Sequence, residues 1–130
     1  MKIRWSHQGI RFRITPTEFE NLKLGQRVEE CLDIGETQLT ARIDVVTGEG
    51  SITSTGNSVT LECAVADILR LAEQDREGIY FSEWSEKGVE MVYYIEKDFP
   101  CVHVKSSQVK EEPSETFTPP LGFADRKLSE

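Results

Sequence analysis

Apolar and polar positions alternate with period two over much of this chain, and the alternation gives way twice to short stretches with helical spacing. Residues 2–5 read Lys, Ile, Arg, Trp and residues 10–14 read Ile, Arg, Phe, Arg, Ile, the pattern of half-buried strands. Ser6, His7, Gln8 and Gly9 join them as a hairpin turn. Ile3, Trp5, Ile10, Phe12 and Ile14 then share a core face, while Lys2, Arg4, Arg11 and Arg13 share the opposite one. Thr15, Pro16, Thr17 and Glu18 form a helix start, with Thr15 as cap, Pro16 at the first helical position and Glu18 where a capping box needs its acid. The short helix turns Phe19 and Leu22 inward and ends near Gly25. Strands over residues 27–33 and 38–46 flank a turn at Gly35 and Glu36, and residues 47–50 read as a linker.

The second half repeats this order. Strands over residues 51–55 and 58–63 flank Gly56 and Asn57, a dipeptide hairpins favour. A helix over residues 64–75 places Val65, Ile68, Leu69 and Ala72 at helical spacing. Strands over residues 78–84 and 89–97 close the unit around Glu86, Lys87 and Gly88, with Val89, Met91, Tyr93 and Ile95 on one face. Sliding the chain along itself by 49 residues sets Ile3 on Ile52, Ile10 on Val59, Phe12 on Leu61, Ile14 on Cys63 and Leu22 on Leu71. Opening the shift to 51 and then 52 sets Val28 on Ile79 and Leu39, Ala41 and Ile43 on Met91, Tyr93 and Ile95. Polarity is shared more than identity, as in an old duplication.

The predicted fold is therefore α+β: a duplicated strand–strand–helix–strand–strand unit forming an antiparallel sheet or partly closed barrel with two helices and a pseudo-twofold axis. Residues 1–105 form the single duplicated domain, with copies over about 1–46 and 51–99. Residues 106–130, rich in Ser, Lys, Glu and Pro, read as an acidic and largely flexible tail contributing little stability. Its Phe117–Phe123 stretch is apolar enough to dock.

A net charge of −8 argues against a general nucleic-acid or anionic-membrane binder. The charge is uneven, because residues 1–17 hold four bases and no acid. Cys31, Cys63 and Cys101 are odd in number and widely spaced, which speaks against a disulfide framework and for a reducing, cytoplasmic setting. No apolar run is long enough to cross a bilayer.

The basic face of the first hairpin is the sharpest chemical candidate. Lys2, Arg4, Arg11 and Arg13 on adjacent strands can hold a phosphate or a carboxylate-rich partner. The plainer reading pairs them with acids such as Glu29, Asp33 or Glu62 on neighbouring strands. Few aromatics interleave on that face, which weighs against a base-stacking platform. Asp98, Cys101 and His103 can all ligate metal, but their spacing matches no zinc pattern and no second ligand pair is visible. Cys101 beside His103 lacks the orienting third group of a nucleophile and base. Glu18 with Glu20, and Glu29 with Glu30, read as a cap and as residues on opposite strand faces. Trp5 and Trp84 read as core or rim aromatics. No catalytic residue, metal or cofactor is assigned.

The opening Lys2-Ile3-Arg4, the turn, and Ile10-Arg11-Phe12-Arg13-Ile14-Thr15 resemble the start of a family of small bacterial proteins of unknown function, whose members begin KIRI, a glycine-asparagine-serine turn, and IRFRLT. Glu96-Lys97-Asp98-Phe99-Pro100-Cys101 is similar to that family's EKDFAC segment. The resemblance covers about residues 1–103, with Gln8-Gly9 in place of the asparagine-serine and Pro100 in place of alanine. It implies architecture and no activity. Two functions stay open: a non-enzymatic binding or accessory protein acting through the basic hairpin, or a small enzyme or ligand-binding domain with a pocket at the seam between copies.

Overall fold

The computed structural model describes residues 1–100 and 115–122. The chain runs β1 (Lys2–Ser6), β2 (Gly9–Ile14), α1 (Pro16–Lys23), β3 (Val28–Ile34), β4 (Thr37–Val46), β5 (Ser51–Thr55), β6 (Ser58–Ala64), α2 (Val65–Leu71), β7 (Gly78–Trp84) and β8 (Glu90–Lys97). The strand–strand–helix–strand–strand order therefore occurs twice, with element bounds close to those expected.

The sheets differ from the expectation. There are two of them, ordered β1-β2-β8-β7 and β3-β4-β6-β5. Each is mixed rather than antiparallel, because β2 runs parallel to β8 and β4 parallel to β6 at the sheet centres. The four hairpins are antiparallel, as their short turns require. What local patterning missed is the assembly of the hairpins. After β2 the chain leaves its sheet through α1 and starts β3 in the other sheet. Each sheet thus takes one hairpin from each half of the chain, and their second strands meet pointing the same way. No barrel closes either, since β1, β7, β3 and β5 remain edge strands among the described residues.

Alternation buries one face of each sheet. Ile10, Phe12 and Ile14 of β2, Ile43 of β4, Leu61 and Cys63 of β6, Ile79 of β7, and Tyr93 and Ile95 of β8 join Phe19, Leu22, Ile68 and Leu71 of the helices in one core. α1 starts as predicted: the Thr15 hydroxyl accepts from the Glu18 amide at 3.2 Å and a Glu18 carboxylate oxygen accepts from the Thr15 amide at 2.9 Å. Gly25, at φ +77°, ends it in a conformation that favours glycine. α2 is shorter than predicted and turned about its axis. It buries Ile68 and Leu71 and leaves Val65, Leu69 and Ala72 exposed. Trp5, expected on the core-facing side as a core or rim aromatic, is 61% exposed. It sits at the turn end of an edge strand, away from the helices that close the core. Leu32 and Ile34, near the β3–β4 turn, are exposed for the same reason.

Candidate functional site

The outer face of the first sheet is built by register. Lys2 pairs with Arg13, and Arg13 with Glu96. The next outward row runs Arg4, Arg11, Tyr94, Tyr80 across β1, β2, β8 and β7. Trp84 lies further along β7 on the same side and is 72% exposed, and Tyr80 is 61% exposed. The structure brings all four predicted residues, Lys2, Arg4, Arg11 and Arg13, onto this one face.

It also corrects their partners. The acids that meet them are Glu96 and Asp98, not Glu29, Asp33 or Glu62. Lys2 Nζ lies 3.1 Å from an Asp98 carboxylate oxygen, and Asp98 is buried. One Glu96 oxygen serves two arginines, at 3.5 Å from Arg11 Nε and 3.6 Å from Arg13 Nε. Glu29 instead pairs with Arg42 at 2.6 Å, and Asp33 accepts from Gln38 at 2.9 Å. The cause is the parallel neighbour: β8 lies beside β2, and β3 and β6 lie in the other sheet.

Among the described residues the four bases outnumber the acids that meet them. Arg4 is exposed and has no ion pair among the described residues. Arg13 Nε is buried, and the Glu96 oxygen at 3.6 Å lies just beyond hydrogen-bond distance. On the second sheet, by contrast, Arg27 and Arg42 each meet their own carboxylate at 2.6 Å. Arg11 is held differently again. Its Nε donates to the Tyr94 hydroxyl at 3.3 Å, and its guanidinium lies 5.4 Å from the Tyr94 ring centre, a cation–π distance. Burial works against its charge, yet the Tyr94 hydroxyl and Glu96 outweigh this and raise its pKa. Tyr80 and Tyr94 lie with ring centres 5.4 Å apart, and burial, then Glu96 and Glu77, raises the Tyr80 pKa.

Aromatics thus do share the basic face, contrary to the reading from β1 and β2 alone. Tyr94 and Tyr80 were missed because they come from the far end of the chain. The alternation of residues 90–97 already put Val92, Tyr94 and Glu96 on the face opposite Tyr93 and Ile95. What it did not give was the strand beside them.

Next to Tyr80 an open depression of about 300 Å³ is lined by Glu73, Asp75, Arg76, Glu77, Gly78 and Tyr80. Arg76 is paired with Glu73 at 3.2 Å. At the expected seam, Phe12, Ile43, Leu61 and Ile95 are wholly buried, so side chains fill it. Of the metal-ligand candidates, Asp98 is engaged by Lys2, while Cys101 and His103 lie outside the described residues. Among the described residues no three His, Cys, Asp or Glu side chains gather as a metal site, and no helix is long and apolar enough to cross a membrane.

Residues 1–121 match the model of a family of unknown function (DUF7009). The chain belongs to that family. The match spans both hairpins of the first sheet, so the whole basic face falls inside it. No curated protein and no solved structure matches the chain.

Proposed function

We propose that this DUF7009 member is a non-enzymatic binding protein of the bacterial cytoplasm that recognises an anionic partner through the outer face of its first sheet. The observation that carries the reading is the row Arg4, Arg11, Tyr94, Tyr80, in which Arg4 meets no acid among the described residues and Arg11 shares its one distant carboxylate with Arg13 of the adjacent row. A carboxylate or phosphate placed between Arg4 and Arg11 gains charge-assisted hydrogen bonds, and Tyr80 and Trp84 offer exposed ring surface beside it. The partner is a protein with an acidic segment or an anionic ligand. The chain's charge of −8 weighs against nucleic acid. The alternative, a small enzyme with its pocket at the seam, draws no support from a seam that Phe12, Ile43, Leu61 and Ile95 occupy.

The same reading takes residues 1–105 as a duplicated domain with a pseudo-twofold axis. Register supports it. Lys2 opposite Arg13 has its counterpart in Ser51 opposite Glu62, and Val28 opposite Ile43 in Ile79 opposite Ile95. The parallel pair Phe12 and Ile95 has its counterpart in Leu61 and Ile43. Where the copies differ, the first hairpin has Arg4, Arg11 and Arg13 and the second has Thr53, Thr60 and Glu62. That difference is what a binding face grafted on one copy would leave.

The test is a fluorescence titration of the full chain with inorganic phosphate and with a poly-glutamate peptide, alongside affinity capture of partners. Arg4→Glu with Arg11→Glu is expected to weaken binding at least ~10-fold while thermal unfolding stays close to that of the parent. Equal binding by both proteins removes this face as the site.

A further inference from the structure

Among the described residues four edge strands bound the two sheets, β1 and β7 on one, β3 and β5 on the other. An edge is a row of unpaired backbone donors and acceptors, and proteins blunt it with charge, proline, shortness or an inward-pointing ionised side chain. β1 carries Lys2 and Arg4, and β3 carries Glu29, Glu30 and Asp33. β7 turns Glu83 to the inner side, where its carboxylate accepts from the Tyr93 hydroxyl at 2.7 Å. β5 reads Ser, Ile, Thr, Ser, Thr and has no charge and no proline. Thr53, Ser54 and Thr55 are exposed, and Ile52 packs against the core.

We propose that β5 pairs antiparallel with β5 of a second copy of this chain, joining two β3-β4-β6-β5 sheets into one continuous sheet about a twofold axis at Thr53. Self-pairing makes each residue meet its own mirror position. For β5 this sets Thr53 against Thr53, Ser51 against Thr55 and Ile52 against Ser54, with no charge in any pair. The same operation on β1 sets Arg4 against Arg4, and on β3 it sets Glu29 against Asp33, like charges that destabilise directly opposed positions. A foreign strand of suitable charge could add to either of those edges. β5 is the edge whose chemistry suits an identical strand. The added pair also extends the hydroxyl face that Thr53 and Thr55 already form with Thr60 and Ser58 of β6, and cross-strand threonine pairs are favourable. A contact one short strand wide falls below the standard interface of about 1,600 Å², so the dimer is reversible and depends on concentration.

Sedimentation equilibrium of the full chain tests this. The mass is expected to rise from 14.8 kDa towards twice that value as concentration increases. Thr53→Lys and Thr53→Glu, each setting like charges across the axis, are expected to stay monomeric when alone. An equimolar mixture of the two is expected to associate again. A parent protein that is monomeric throughout overturns the proposal, as does association untouched by Thr53→Lys. Variants that stay monomeric when mixed also overturn it, because β5 then meets some other surface. Amide exchange at residues 51–55 gives a reading free of mutation: protection there must grow with concentration, and constant exchange refutes the pairing.

Discussion

The Cys63 thiol is inaccessible to solvent, and burial, with the nearby carboxylates of Asp67 and Asp44, pushes its pKa from 9.0 up to about 12. It is a small hydrophobe in the core, not a nucleophile, which must be a thiolate. Between those two values the folded chain keeps a proton that the unfolded chain has lost. Stability therefore falls as pH rises through this window, by up to ~1.4 kcal/mol per pH unit from this one group. Tyr93, whose pKa is raised by burial and by its bond to Glu83, adds loss of the same sign above its ordinary value. Guanidinium unfolding from pH 8 to 11 is expected to show a shallower decline in Cys63→Ala than in the parent, from a lower start because of the cavity left behind. Parallel declines would mean that another group titrates. At this scale alternation read the core well: Ile10, Phe12, Ile14, Ile43, Leu61 and Ile95 all point where period two sends them. It failed at Trp5, which points to the inner side but lies beyond the reach of anything that could cover it. Alternation gives direction, and depth depends on what lies opposite.

The helices show how the same local problem is met with different residues. Thr15 and Glu18 satisfy each other's amides at the start of α1. At the start of α2 Asp67 accepts from the Ala64 amide at 3.0 Å, but Ala64 has no side-chain acceptor to return. Replacing it is expected to help: Ala64→Thr should raise stability by ~0.5–1 kcal/mol, read as a midpoint a few degrees higher in thermal unfolding. An unchanged midpoint would show that the missing bond is already made by water. Strand and turn positions were legible because Gly35, Gly56 and Gly88, all at positive φ, punctuate alternating runs. The neighbours of those strands were not. Arg11 lies beside Tyr94 through a parallel pairing far apart in sequence, and no turn residue encodes such a partner. The arginines of the candidate site were visible for that reason, and its tyrosines were not.

Across the whole molecule, Phe117 ties a distant segment to the helical end. Its amide donates to the Asp98 carbonyl at 2.7 Å, its ring makes edge contacts with Phe19 and Phe99 at 6.2 and 6.1 Å, and Lys97 Nζ lies 5.8 Å from its centre. The Thr17 hydroxyl donates to Glu115 at 2.8 Å beside it. Composition had marked this region as a tail of little consequence to stability. Half-buried aromatic contacts of this kind are worth about 1–2 kcal/mol. Phe117→Ala is therefore expected to lower the unfolding midpoint by several degrees, and a midpoint equal to the parent's would return the segment to a passive role. The interleaved hairpins have a consequence of their own. Each sheet borrows half its strands from the other end of the chain, and a two-stranded hairpin left by itself is marginal in water. Pulling residues 1–46 away removes the central neighbours of both β6 and β8, and each sheet is left with one hairpin. Neither half of the chain is therefore expected to fold by itself, and unfolding is expected to be one cooperative transition shared by both ends of the chain.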